Sequence, residues 1–271
     1  MPLQRKNNAG SILKKAVAAA RKAGRAALSM QKNISVEYKG AINPVTDADK
    51  KSERILIDEL SKLGDFGFLC EENTVKKLSG TMWVIDPIDG TVNYAHGDPT
   101  WAVNIALVKN GDPVMGITLN PPTGEIFWAL KGKGAFLNGK KIRVSAVKKT
   151  ARALLSTGFP YDVWQKPDKV LRIFRKFLVV SQGIRRPGSA ALDMAYTACG
   201  RFDGFWEQNL YPWDIAAGVL LIEEAGGRVT DYKNAKIKCD ETYIRKNRSI
   251  LASNGLLHKK MLSLIGEKNK P

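Results

Sequence analysis

The sequence predicts a mixed α/β fold, and three observations carry that reading. Of the 271 residues, 44% are hydrophobic, enough for a large core and too many for a disordered chain. Apolar residues recur at helical spacing at the start, change to strand spacing from Phe66 to Val144, and then alternate between the two. Turn residues such as Asn110-Gly111-Asp112 and Pro121-Pro122-Thr123-Gly124 punctuate the strand region. The pattern divides into an α+β half, 1–145, and an α/β half, 146–271, read as one integrated unit without repeat or low-complexity linker.

The elements follow in order. Ser11–Met30 is an amphipathic helix with Ile12, Leu13, Ala16, Val17, Ala20, Ala27 and Leu28 on one side and Lys and Arg on the other. Lack of acids would also suit an organelle transit peptide, but the segment is Ser-poor and continues without a cleavage-like break, so a structural helix is expected. Asp47 or Asp49 opens a second helix through Leu63, with Ile55, Leu56 and Leu60 inward. Strands are expected at Phe66–Leu69, Met82–Asp86, Trp101–Val108, Pro113–Leu119 and Glu125–Leu130, then a hairpin over Ala135–Val144 around Asn138-Gly139. Strand Ala153–Thr157, helix Lys169–Phe177, strand Gly183–Arg186, helix Ala190–Cys199 and strand Phe205–Glu207 come next. Helix Asp214–Ala225, stopped by Gly226-Gly227, strand Ser249–Ser253 and helix Leu257–Ile265 close the pattern.

Composition excludes several functions. No apolar run approaches about 18 residues, so no membrane-spanning helix is expected. Cys70, Cys199 and Cys239 are odd in number and lack metal-ligand spacing, and His96 and His258 are the only histidines. A disulfide scaffold and a Cys- or His-based metal centre are poor readings, and a reducing cytoplasm fits. The formal charge is +17, unevenly spread: residues 1–36 and 131–152 each carry eight Lys or Arg and no acid, whereas 51–100 carry nine acids and five bases. Such a surface suits an anionic substrate or nucleic acid, or is simply a solvated basic face.

The sharpest chemical signal lies in that acidic segment, at Trp83-Val84-Ile85-Asp86-Pro87-Ile88-Asp89-Gly90-Thr91. An apolar strand delivers Asp86 to its end, Pro87 is expected to stop it, and Gly90 permits a tight turn. Two carboxylates converging there repel unless a cation lies between them, and an oxygen-only set favours a hard ion such as Mg²⁺. The Gly90 and Thr91 amides would face an anion. In isolation, D-x-x-D-G is also an ordinary turn. Glu71, rather than its strand neighbour Glu72, is expected to face the same point, and Glu72 to be a surface acid. Asp214 and Asp49 are by themselves helix N-cap or first-turn acids. The segment Gly134–Lys141, G-x-x-x-x-G-K-K, is one residue from a phosphate-binding loop, but it has Lys141 where Ser or Thr is required and continues as strand.

Together these segments resemble the inositol monophosphatase family of Mg²⁺-dependent, Li⁺-sensitive sugar phosphatases, over nearly the whole chain. The most specific stretches are Asp86-Pro87-Ile88-Asp89-Gly90-Thr91-Val92-Asn93-Tyr94 and Trp213-Asp214-Ile215-Ala216-Ala217-Gly218, with Gly188-Ser189-Ala190-Ala191-Leu192-Asp193 and Val45-Thr46-Asp47-Ala48-Asp49. The resemblance implies a layered αβαβα sandwich, a homodimer, and two or three Mg²⁺ ions. It implies that Glu71, Asp86 and the Ile88 carbonyl hold one ion, that Asp86, Asp89 and Asp214 hold a second, and that a third leans on Glu71. Thr91 and Asp49 would orient and deprotonate the attacking water, and the Gly90 and Thr91 amides would grip the phosphate. Asp89, Gly188, Ala190 and Glu207 would meet the alcohol half of the substrate. Either Arg185 or Arg186 would add positive charge there, with Arg185 taken as the candidate. Cys70, Val92 and Tyr211 depart from the family pattern, the last where some animal members carry a substrate-side His. The expected activity is hydrolysis of inositol 1-phosphate or a related polyol phosphate. Fructose 1,6-bisphosphate or another sugar phosphate is the alternative on the same site. RNA or transcription-machinery binding through the basic surface is the alternative of another class.

Overall fold

Two mixed sheets and, among the described residues, seven α-helices stack as α, β, α, β, α in a computed structural model that describes residues 6–33, 36–38, 44–72, 75–76, 80–160, 162–239 and 248–266. The outer layer is α1 (Lys6–Met30) beside α2 (Asp47–Leu60), linked through a small ribbon of β1 (Val36–Tyr38) and β2 (Pro44–Thr46). The buried stripe of α1 is Ile12, Leu13, Ala16, Ala19, Ala20, Ala23 and Ala27, whereas Leu28 is exposed. That stripe shares a core with Trp83, Ile85, Val103 and Ile117, so the basic first helix is an integral part of the fold.

The second layer is an eight-stranded sheet built from β3 (Gly67–Cys70), β4 (Val75–Lys76), β5 (Thr81–Asp89), β6 (Ala102–Lys109), β7 (Asp112–Asn120), β8 (Glu125–Leu130), β9 (Gly134–Leu137) and β10 (Lys140–Lys141). Its order is β10-β9-β8-β7-β6-β5-β3-β4, antiparallel except for the β3–β5 pair. The near-miss phosphate loop is the β9–β10 hairpin, with Asn138 and Gly139 at φ 48° and 80°. The lysines of β10 face solvent.

Between the sheets lie α5 (Ala190–Ala198) and α6 (Pro212–Glu224). Every residue from Ile215 to Ile222 is buried, because α6 packs on Val84, Ala106 and Phe127 on one side and Phe205, Ile250 and Ala252 on the other. A helix covered on both sides needs no polar face, which explains the uninterrupted apolar run. The second sheet has the order β12-β11-β13-β15-β14, from β11 (Leu154–Thr157), β12 (Gly183–Arg185), β13 (Gly204–Leu210), β14 (Arg228–Thr230) and β15 (Arg248–Ser253). Its far face is covered by α4 (Pro167–Leu178) and α7 (His258–Gly266), through Ile173, Phe177, Met261 and Leu264 on Leu155, Trp206 and Leu251.

Three local expectations change. Pro87 does not stop its strand: β5 runs on to Asp89, with a register shift against β6 between Asp86 and Asp89. A bulge is where a strand accepts a residue without an amide hydrogen. Helix α6 begins at Pro212, so Asp214 stands in its first turn, and its carboxylate accepts the Tyr211 amide at 2.6 Å. Glu72 is buried, not a surface acid: its amide donates to Glu53 Oε2 at 3.0 Å.

Candidate active site

The bulge of β5 folds the chain so that Asp86 and Asp89 face one way. Asp86 Oδ1 accepts the Ile88 amide at 3.0 Å, closing the loop on itself, and Ser52 of α2 donates to the Pro87 carbonyl at 3.1 Å from behind. Gly90 follows at φ 92°, and a Cβ there would lie 3.1 Å from the carbonyls of both Gly188 and Thr100, so both conformation and space call for glycine. A short helix, α3 (Thr91–Ala95, between α2 and α4 in chain order), starts at once; its first amides have no partner within the helix. Thr91 Oγ donates to the Ile88 carbonyl at 3.1 Å.

The second half of the chain brings in the remaining pieces. Asn104 sits opposite Asp86 on β6, and its side-chain amide donates to the carbonyls of Trp213 and Asp214 at 2.7 and 3.2 Å. Thr118 donates to its oxygen at 2.7 Å, so Asn104 is held as a strut between β6 and the start of α6. Asp89 is held by α5: Ser189 Oγ and the Ala191 amide both donate to Oδ2, the latter at 2.9 Å. Asn93 completes the frame, donating to the carbonyls of Thr100 and Pro187 at 2.6 and 2.8 Å.

The result is a group of three carboxylates, Asp86, Asp89 and Asp214, whose oxygens lie within 4.8 Å of one another. Burial pushes the Asp86 carboxyl well above its usual range, and the Glu71, Asp89 and Asp214 charges push it further. Burial raises Asp89 to about 6 against the hydrogen bonds from Ser189 and Ala191. Burial, then the Asp89 charge, raises Asp214 well above its range. These shifts describe a cluster with surplus negative charge, for which no cation among the described residues appears as a balancing cause. An all-oxygen donor set of this kind fits a hard divalent ion.

The carboxylates line a cleft of about 640 Å³. Glu71, Ile88, Gly90, Thr91, Gly188, Ala190 and Glu207 also line it, so the structure gathers most of the sequence candidates in one place. Glu207 is buried against Gly158, and burial, then the Asp89 charge, lifts it to about 8 against the pull of Arg186. Two candidates lie elsewhere. Asp49 is fully buried in a capping box with Thr46, whose amide and hydroxyl donate to Oδ2 at 2.8 and 2.6 Å; Oδ1 has no hydrogen-bond partner. Burial raises it to about 6, and it stands behind the cleft wall rather than in it. Arg185 is exposed at the end of the edge strand β12, its guanidinium turned back onto the Ile184 carbonyl. Arg186, one residue beyond the strand, lines the cleft with its guanidinium 5.7 Å from the Phe159 ring centre. The strand-end position separates these neighbours, and no local pattern marks it. Asn104 and Phe159 carry no local signal of a role here, because their partners are remote along the chain; Ser189 and Asp193 fall in the matching stretch 188–193, but nothing local assigns either a role.

Comparison with known proteins agrees with this geometry. The inositol monophosphatase family matches residues 8–270. An inositol-1-monophosphatase of Caulobacter vibrioides is 42% identical over 236 residues, 84% of this chain and 90% of that protein. The Nus factor SuhB of Pseudomonas aeruginosa is 41% identical over 239 residues, 86% of each chain. The crystal structure of the extragenic suppressor protein suhB from Bartonella henselae superposes with a TM-score of 0.88 at 39% identity, covering 96% of this chain and all of that one. The match spans both signatures and the sheets that carry them, and the chain belongs to the inositol monophosphatase family, a family of phosphoric monoester hydrolases.

Proposed function

We propose that this chain hydrolyses polyol phosphates, inositol 1-phosphate among them, with two or three Mg²⁺ ions. The observation that carries the reading is the convergence of Asp86, Asp89 and Asp214 within 4.8 Å, in a cleft that continues to Glu207 and Gly188. Glu71, Asp86 and the Ile88 carbonyl would hold one ion; Asp86, Asp89 and Asp214 a second; Glu71 would support a third. When bound, such ions supply charge neutralisation to the phosphate and acidity to water.

The chain's own groups do the positioning. The Gly90 and Thr91 amides at the start of α3 donate to phosphate oxygens. Thr91 Oγ, which donates to the Ile88 carbonyl in this structure, would orient the water, and Asp49, buried outside the cleft with one oxygen unpaired, would receive the proton by way of Thr91. Glu207 accepts hydrogen bonds from substrate hydroxyls beside Gly188 and Ala190. Arg186, rather than Arg185, supplies positive charge at that end. The reading extends to a homodimer working in the cytoplasm, which three cysteines, an odd number without metal-ligand spacing, suit. Among the described residues no helix is long and apolar enough to cross a membrane.

Turnover of about a dozen phosphomonoesters with Mg²⁺ tests the reading. Inositol 1-phosphate or another polyol monophosphate should lead; a sugar bisphosphate in front would reassign the substrate, and no turnover of any would overturn the activity. A second reading rests on the +17 charge and on the relative named as a Nus factor: binding of RNA by the basic surface. Its mark would be an affinity that collapses between low and moderate salt.

A further inference from the structure

Beyond Glu207, the cleft wall holds a second buried acid that belongs neither to the carboxylate cluster nor to the phosphate grip. Asp193 lies in the first turn of α5, one turn after Ala190. Residues three apart on a helix share a face, so the element that presents Ala190 to the cleft presents Asp193 to it as well. Asp193 does line the cleft. It is 1% exposed, and neither carboxyl oxygen has a hydrogen-bond partner of good geometry. Ser156 of β11 lies beside it, fully buried, and among the described residues its hydroxyl is the one side-chain donor that leans on the Asp193 carboxyl. A buried carboxyl with so few donors is costly, since buried polar atoms are almost always paired.

The surroundings of Asp193 explain what form it takes. Burial opposes ionisation most, then the Glu207 and Asp89 charges; the Ser156 hydroxyl and Arg186 favour it more weakly. A buried carboxyl so poor in donors and close to two other acids favours the neutral acid. In that form it offers one O–H donor and one carbonyl acceptor. Glu207 offers only acceptors when ionised, and one donor and one acceptor when, like Asp193, it holds a proton. In either form the pair presents a donor on Asp193 beside an acceptor on Glu207, and vicinal hydroxyls, each of which both donates and accepts, satisfy them one apiece.

Resting on the phosphatase reading above, we infer that Asp193 is a specificity-determining residue that hydrogen-bonds a ring or chain hydroxyl of the alcohol, on the side of the cleft away from the phosphate. The substrate class is then a polyol phosphate with at least one hydroxyl beyond those that Glu207 engages. Aryl and simple alkyl phosphates leave the subsite unused.

Steady-state kinetics of the full chain with Mg²⁺ on inositol 1-phosphate and on phenyl phosphate test this, in the wild-type protein, Asp193→Asn and Asp193→Leu. Asp193→Asn keeps a donor and an acceptor of the same shape, so the ratio of kcat/KM between the two substrates stays within about threefold of wild type. Asp193→Leu removes both, and KM for inositol 1-phosphate rises by about tenfold relative to phenyl phosphate, with kcat little changed. Equal losses on both substrates, or an Asn variant as impaired as the Leu one, would overturn the inference. If the Leu variant does not fold, Asp193→Ala is compared on the same two substrates, and the same outcomes decide. Failure of the wild-type chain to hydrolyse either phosphate would overturn the phosphatase reading itself; turnover without the predicted discrimination overturns only the role of Asp193.

Discussion

The amide of Ala191 donates to Asp89 Oδ2 at 2.9 Å across 102 residues of sequence. Ser189 Oγ reaches the same oxygen. Asp89 therefore belongs to the first sheet by its backbone and to the middle helix layer by its hydrogen bonds. The carboxylate cluster exists only when the two halves of the chain are docked.

Ser189→Ala tests that linkage. It removes one of the donors that orient Asp89, and partners of this kind typically change metal affinity by about 10–100-fold. The Mg²⁺ concentration for half-maximal phosphatase activity should rise by about tenfold, with activity largely restored at saturation. An unchanged Mg²⁺ midpoint would count against the role of Ser189.

Asp214→Asn separates stability from function. Carboxyls whose folded pKa is raised bind protons more readily folded than unfolded, so their contribution to stability falls as pH rises through the window between the two values. At neutral pH without metal, Asp86, Asp89 and Asp214 oppose one another. The Asn variant should melt higher than wild type in a chelator at pH 7, yet require more Mg²⁺ for activity. A lower melting temperature in chelator would contradict the charge surplus.

Gly158→Ala places a methyl group where Glu207 lies. A Cβ at Gly158 would come within 2.2 Å of Glu207 Oε2, so the carboxylate must move. The variant should behave like Glu207→Ala, losing about 1–3 kcal/mol of transition-state binding on polyol phosphates and less on phenyl phosphate. Equal losses on both substrates would place Glu207 outside the alcohol pocket.

His258 predicts an acid limb. Its Nε2 lies 2.9 Å from Thr230 Oγ, which itself donates to the Asp231 carbonyl. Its Nδ1 lies 2.9 Å from Ser253 Oγ. Thr230 thus accepts from Nε2–H and Ser253 donates to Nδ1, which suits the neutral ring. Burial, then the Arg228 charge, lowers the pKa from 6.5 to about 4. The unfolded chain binds the proton first, so this contribution is full above pH 6.5 and is lost as pH falls towards 4. His258→Gln should flatten the fall in melting temperature between pH 6.5 and 4; a wild-type slope in the variant would remove His258 as its cause.

Much of the site is legible in the sequence because it is local. The strand that delivers Asp86, the turn through Gly90 and the first-turn position of Asp214 each depend on a few neighbouring residues. The αβαβα layering follows from the family resemblance, and the uninterrupted apolar run of α6 fits its place between two sheets. What depends on long-range packing is not legible. Arg186 faces the cleft and Arg185 does not because the edge strand ends between them. Pro87 passes through a strand because β6 shifts register opposite it. Ser189, Asn104 and Asp193 gain their meaning from partners that only the docked layers supply.

The most direct test of metal-assisted hydrolysis at this cluster is phosphate release from inositol 1-phosphate by the wild-type chain and by Asp86→Asn, each with Mg²⁺ and with a chelator. Asp86 faces every other acid of the cluster, and the charges of Glu71, Asp89 and Asp214 all oppose its own. The expected result is Mg²⁺-dependent turnover by wild type, none in chelator, and none by a folded Asp86→Asn under either condition. Turnover that survives the chelator, or near-normal activity of Asp86→Asn at saturating Mg²⁺, would contradict it.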